Sequence, residues 1–276
     1  MKKPTFWWIL VAALVLAALL VLNHYAPLQA EYVALYAGLG VALAGALSVL
    51  VPLRFLGIRK RLTGLLVLGA GVLVMIAALS WPAPTLHSPR PHQRLDDFMP
   101  SYSFCEFHEM RVSAPPDSVV AAMHRVGLGD LPAAVFLMRV RAAALGHRER
   151  IEFPRESILD LMSRPETGFL VLDASDPREF VGGMVGRATA PKPPVRTPEQ
   201  FLAFKEPDGI RVAFNLRVSD AGDGGTRLTS ETRIACNDAA SKRIFGCYWR
   251  IIYPGSAIIR RVWLDAIADV ARKPGA

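Results

Sequence analysis

Glu231 and Arg233 stand two residues apart in a run, Thr226 to Ala235, whose composition suits a β-strand. Side chains two apart on a strand share a face, so this carboxylate and guanidinium would act together. On a cavity wall they would orient the polar head of a ligand. On a surface they would form cross-strand ion pairs worth about 0.2–1 kcal/mol each, and a surface or structural role is the favoured reading. Phe214, Tyr248 and Trp263 suggest a second chemistry, an apolar wall in which the Tyr248 hydroxyl is the polar handle. Arg260 and Arg261 suit a helix end or an anionic lipid surface, although a solvated helix face explains the pair more simply.

No residues compose a catalytic set. His108, His124 and His147 are isolated, and there is no Gly-x-Ser-x-Gly and no Cys-x-x-Cys. His87 and His92 lie in a proline-rich stretch and read as solvated loop residues rather than metal ligands. No catalytic residue, metal or cofactor is therefore assigned.

The elements that position the first group lie in the last two-thirds of the chain, which reads as an α+β domain over 101–276. Phe104 to Val112 alternates as a strand, ended by Pro115-Pro116. Asp117 or Ser118 caps a helix to about Arg125, and a second helix runs from Ala133 to Leu145. A short helical turn is expected over Ser157–Ser163. Strands follow at Gly168–Asp173, Phe180–Ala188 and Phe201–Lys205. In Ile210–Val218, Ile210, Val212, Phe214, Leu216 and Val218 fall on one face. Gly222 to Gly225 turns the chain into the strand that carries Glu231. Last comes a helix from about Asp238 to Arg272, with Ile244, Tyr248, Ile251, Ile252, Ile259, Val262, Trp263 and Ile267 as its apolar stripe and Arg250 among the residues opposite. Pro254-Gly255 is expected to kink or divide it.

The first 81 residues are different in kind. Phe6–Leu22, Tyr32–Leu53 and Leu62–Trp81 are apolar runs of about the 20 residues that a bilayer span needs. None holds an Asp, Glu, Lys, Arg or His in its middle, so the three read as an anchor rather than a transport path. Gly38, Ala42 and Ala46 at four-residue spacing suit close helix packing in lipid. Lys2, Lys3, Arg54, Arg59, Lys60 and Arg61 flank one side of the spans, and Arg90 and Arg94 the other. The basic side is cytoplasmic, so three spans put the C-terminal domain outside. Pro82, Pro84, Pro89, Pro91 and Pro100 mark residues 82–100 as an extended linker.

Charge supports this division. The net charge is +8. From Asp97 onward 24 Lys and Arg face 22 Asp and Glu, a net of +2, so +6 belongs to the flanks of the apolar runs. That is a topology signal and argues against a nucleic-acid partner. Arg outnumbers Lys 25 to 7, which suggests a GC-rich, bacterial source and hence a bacterial inner membrane.

The C-terminal stretch has a familiar pattern: Thr229-Ser230-Glu231-Thr232-Arg233, Asp238, Phe245, Tyr248-Trp249, Pro254-Gly255-Ser256, Ile259-Arg260-Arg261 and Leu264. Over residues 102 to 272 the chain resembles bacterial members of the START-like (SRPBCC) superfamily. The resemblance implies a helix-grip fold, in which an antiparallel sheet wraps a long C-terminal helix. It further implies a cavity for a lipid or other hydrophobic small molecule, walled by Phe214, Leu216, Glu231, Tyr248, Ile252, Ile259 and Trp263. In that topology the first and last strands pair, which would bring Cys105 near Cys236; three free thiols, Cys247 included, remain the favoured state. A cyclase- or hydrolase-type enzyme in the same cavity, or an interaction module with a closed core, are the alternative roles.

Overall fold

The computed structural model describes residues 29–144, 156–191, 193–222 and 224–273, with residues 17, 20 and 146. The expected span Phe6–Leu22 and His147 lie outside the described residues. The chain forms two compact units, one built on residues up to Pro82 with Gly246–Pro254, the other on Ala83–Phe245 and Gly255–Ala276.

In the first unit, helices α1 (Ala30–Leu50) and α2 (Arg61–Leu79) are long and apolar enough to cross a membrane. Leu43, Leu66 and Leu73 are 56%, 68% and 68% exposed, which a core helix of a water-soluble protein would not tolerate. The two helices meet through small residues. Gly38, Ala42, Gly45 and Ser48 of α1 are buried, as are Gly64, Gly71 and Ala78 of α2. A methyl group on Gly71 would strike the backbone of Ala42, and one on Gly45 the backbone of Leu68. The close-packing stripe thus runs through Gly45, not Ala46, because 3.6 residues per turn carries a strict four-residue spacing off the contact line. Gly57, at φ +80°, turns the chain between the helices where a side chain would be strained.

Residues Gly246–Pro254 are the middle of the last helix and pack into this unit. Arg250, expected on the solvated side, is 3% exposed. Its Nη2 donates to the Trp81 carbonyl at 2.7 Å and Nη1 to that of Leu79 at 3.4 Å, which satisfies carbonyls that the end of α2 leaves without helical partners. Ile244 and Ile251, expected in the apolar stripe, are 45% and 61% exposed. Tyr253 stacks on Tyr32 with ring centroids 4.5 Å apart.

The second unit is α+β. A small ribbon pairs β1 (Leu86–His87) with β2 (Ser101–Tyr102), and a four-residue helix α3 (Leu95–Phe98) lies between them. The main sheet comprises β3 (Phe104–Val112), β4 (Leu170–Asp176), β5 (Glu179–Arg187), β6 (Gly209–Asp220) and β7 (Thr226–Cys236), all neighbours antiparallel in the order β3-β7-β6-β5-β4. The first and last strands are therefore neighbours, with Cys105 opposite Arg233; Cys105, Cys236 and Cys247 are all free. Helices α4 (Pro116–Met123), α5 (Pro132–Ala144) and α6 (Ile158–Met162) follow β3. Helix α7 (Pro198–Ala203) precedes β6, and α8 (Ala239–Ala271) ends the chain.

One expectation fails here. Phe201–Lys205 is not a strand: Thr197 accepts the Gln200 N–H and Pro198 occupies the first turn, a helix start that outweighs the short apolar run. Of the two outcomes expected at Pro254, kink or division, α8 is not divided. Proline has no N–H to offer the carbonyl four residues back, and the Tyr36 hydroxyl donates to that Arg250 carbonyl at 2.9 Å instead. The helix is started by Asp238, whose carboxylate accepts the Ser241 N–H at 2.7 Å.

Both faces of the sheet are covered. Even-numbered residues of β3, β6 and β7, with Phe180 of β5, meet α4, α5, α6 and the end of α8 around Phe214, Leu216, Leu228 and Trp263. Odd-numbered residues of β5 and β6 pack with Leu95, Met99, Tyr102, Phe201 and Phe204. Residues 86–102 are thus not only a connector: Leu95 and Met99 are 0% and 1% exposed.

Candidate functional site

A cavity of about 420 Å³ opens among α5, α6, the turn before β4 and the last part of α8. Its wall is mostly aliphatic and aromatic, from Leu128, Met138, Ile158, Leu161, Phe169 and Trp263, with Ala134 and Ile259 closing the packing. The aromatic floor is ordered by contacts among rings. Phe214 meets Phe169 edge-on at 6.3 Å and Trp263 at 6.5 Å. Gly182 on β5 makes room for it, because a methyl there would lie 2.6 Å from the Phe214 ring. Apolar lining with few polar groups is what small-molecule pockets usually show.

Two of the polar groups, Arg141 and Thr167, lie on α5 and the turn before β4, and two on α8. Ser256 and Arg260, one helical turn apart, both line the cavity. The Arg260 guanidinium lies over the faces of Phe214 and Trp263, at 4.5 and 5.4 Å from their centroids. No carboxylate lies within ion-pair distance of it among the described residues. Burial lowers its pKa from the ordinary guanidinium value, and the charge of Glu106 opposes that shift. The Ser256 hydroxyl donates to Glu106 Oε2 at 2.7 Å, and Glu106 Oε1 bonds His108 Nε2 at 2.8 Å. Glu106 and His108 are 1% and 5% exposed, on the face of β3 toward α8. Directly across on β7 are Thr232 and Ser230. Their hydroxyls, and the indole N–H of Trp263, are buried without a hydrogen-bond partner among the described residues.

The opposite face of the sheet carries polar groups with the reverse property. Glu231 is buried and accepts from Arg233 Nε at 2.8 Å, Gln93 Nε2 at 2.6 Å and Arg90 Nε at 3.3 Å. Arg233 also donates through Nη1 to Asp96 and to the Met99 carbonyl, both at 2.7 Å. Asn215 donates to Gln93 and Glu179 and accepts the Glu231 N–H. Burial alone would raise the Glu231 carboxyl; the hydrogen bond and charge of Arg233, then Gln93 and Arg90, hold it below the ordinary value. Burial likewise opposes the Arg233 charge, and Glu231 and Asp96 more than offset it. Burial, reinforced by Glu231, pushes the Cys105 thiol up to about 12, and burial does the same for Cys236. These thiols are not nucleophiles near neutral pH.

The sequence-derived site residues therefore separate. Ile259 and Trp263 line the cavity, Phe214 supports its floor, and Leu216 is buried in the same core. Glu231 belongs to the buried network on the other face, which agrees with the structural half of the favoured reading and not with a cavity-wall role or a surface ion pair. Tyr248 and Ile252 fall in the segment assigned to the helical unit. Three polar residues were missed. Glu106 and His108 share a strand face by simple alternation, a signal available in the sequence. Arg260 was read as solvated, because a helical stripe alone does not reveal which flanking arginine meets a hollow.

No family model, curated protein or solved structure matches this chain.

Proposed function

We propose that this chain is a membrane-tethered binding protein that holds a lipid-derived or other hydrophobic small molecule in a START-like, helix-grip domain. The observation that carries the reading is the apolar cavity of about 420 Å³, within the range of known ligand pockets. The strand order, with first and last strands paired and a long helix at the end, agrees with the helix-grip resemblance. The apolar, outward-facing leucines of α1 and α2 support insertion in a bilayer. Placement of the domain on the outer side of a bacterial inner membrane rests on the basic flanks and on a third span at Phe6–Leu22.

At about 30 Å³ for each water-sized group, the cavity accommodates roughly fourteen non-hydrogen atoms. That is one acyl chain of medium length, not a two-chain phospholipid. The test is organic extraction of full-length protein purified from its host, followed by mass spectrometry. A co-purifying apolar compound is expected with the natural chain and not with Ala134→Phe, which fills the hollow from a fully buried wall position. Absence of any such compound, together with no uptake of an added apolar fluorophore, would sink the reading.

A hydrolytic enzyme is the second reading, and the buried Glu106, His108 and Ser256 are what favour it. The geometry weakens it. A serine nucleophile passes its proton to an imidazole held by a carboxylate, whereas here Ser256 bonds the carboxylate and His108 lies beyond it.

A further inference from the structure

The cavity is not evenly apolar: Arg141, Thr167, Ser256 and Arg260 line it, and of its two arginines Arg141 is exposed while Arg260 is half-buried over aromatic rings. A guanidinium offers five N–H donors and accepts nothing. Buried polar groups in folded proteins are nearly always satisfied, and an unpaired buried charge is among the most costly features a fold can keep. Arg260 is a half-buried case: it stacks on Phe214 and Trp263, lines the cavity, and meets no carboxylate within ion-pair distance among the described residues. Glu106, the acid whose charge it feels, is engaged by His108 and Ser256. Trp263, 2% exposed, adds an indole N–H with no acceptor on the same wall. Arg233, fully buried on the other face, is by contrast paired to Glu231 and Asp96.

We propose that Arg260 and Trp263 form a head-group site for a single-chain anionic amphiphile of the fatty-acid type, with its carboxylate on Arg260 and its tail among α5, α6 and Phe169. The inference rests on the binding function proposed above and adds the charge of the ligand to it. The arrangement explains why a cation is kept beside aromatic faces: cation–π contact holds it in an otherwise apolar wall while its edge stays open to a bidentate acceptor.

The probe is dodecanoate, whose fourteen non-hydrogen atoms fill the cavity, with dodecanol as the uncharged comparator. The full chain is placed in phosphatidylcholine nanodiscs at pH 8, and empty nanodiscs set the partitioning baseline. Saturable binding of one dodecanoate per chain is expected, at least tenfold tighter than dodecanol. Arg260→Met should erase that preference and leave dodecanol affinity unchanged; Arg260→Lys should restore part of it. Trp263→Phe keeps an aromatic ring and removes the N–H, so it should weaken dodecanoate by a larger factor than dodecanol; this variant serves if Arg260→Met fails to fold. Equal affinity for the two probes in the natural chain, or an undiminished preference in folded Arg260→Met, overturns the anion inference and leaves an apolar-ligand site. Saturable binding of neither probe overturns both.

Discussion

The two faces of the β3–β7 sheet bury polar groups to opposite effect. On the face against Leu95 and Met99, Glu231, Arg233, Asn215, Gln93 and Asp96 satisfy one another through short hydrogen bonds. On the face against α8, Ser230, Thr232 and the Trp263 N–H have no partner, and Arg260 has no counter-ion among the described residues. Arg233 is fully buried and Arg260 half-buried, and in the first group Arg233 Nη2 alone is buried without a partner among the described residues. The first set of partners clasps residues 90–99 to the sheet; the second set holds the groups on which the binding proposal above rests.

Breaking the clasp should have the largest effect. Arg233→Met leaves Asp96 without its guanidinium partner and the fully buried Glu231 with Arg90 as its one cation among the described residues. A loss of about 3–5 kcal/mol is expected, measured as the shift of the urea midpoint of the full chain in detergent. A change under 1 kcal/mol would mean that the network does not hold the fold. Glu231→Gln is milder, about 2 kcal/mol, and it sharpens the comparison through pH. The Glu231 pKa is lowered in the folded state, so its contribution is fully present above the ordinary value of 4.5 and is lost as the pH falls below it. The natural chain should lose stability on acidification over that window more steeply than Glu231→Gln. Parallel profiles would remove Glu231 from the account.

On the other face the same kind of substitution should do little. Ser230→Ala deletes a buried hydroxyl that has no partner, so stability should stay within about 1 kcal/mol of the natural chain or rise. A loss above 2 kcal/mol would show that the hydroxyl is satisfied after all. The smallest expected signal is chemical. Cys105, raised to about 12, should react with a thiol reagent at pH 8 far more slowly in the natural fold than in urea. Equal rates would place the clasp open in solution.

Much of this architecture is legible in local sequence. β3 has the expected bounds, Phe104–Val112, because its alternation is clean and Pro115-Pro116 stops it. The β6–β7 turn and the start of α8 at Asp238 follow from glycine and capping chemistry. The departures have long-range causes. Arg233 meets Asp96 across 137 residues, and no window on β7 reveals that its odd-numbered side is covered. Pro254 reads as a break until Tyr36, 214 residues from Arg250, supplies the missing donor. For the site, Ile259 and Trp263 could be read from helical spacing. Arg260 could not, since its role depends on what fails to surround it.

Gly182 has one more consequence. It is the only spacer between β5 and the Phe214 ring, with Phe180 3.1 Å from where its methyl would be. The ring in turn sits beneath Arg260 and Trp263. One carbon added to the sheet would therefore be transmitted through a rigid aromatic plate to the hollow above. Under the binding function proposed above, Gly182→Ala should shorten the chain that the cavity accepts, from a position outside the cavity wall.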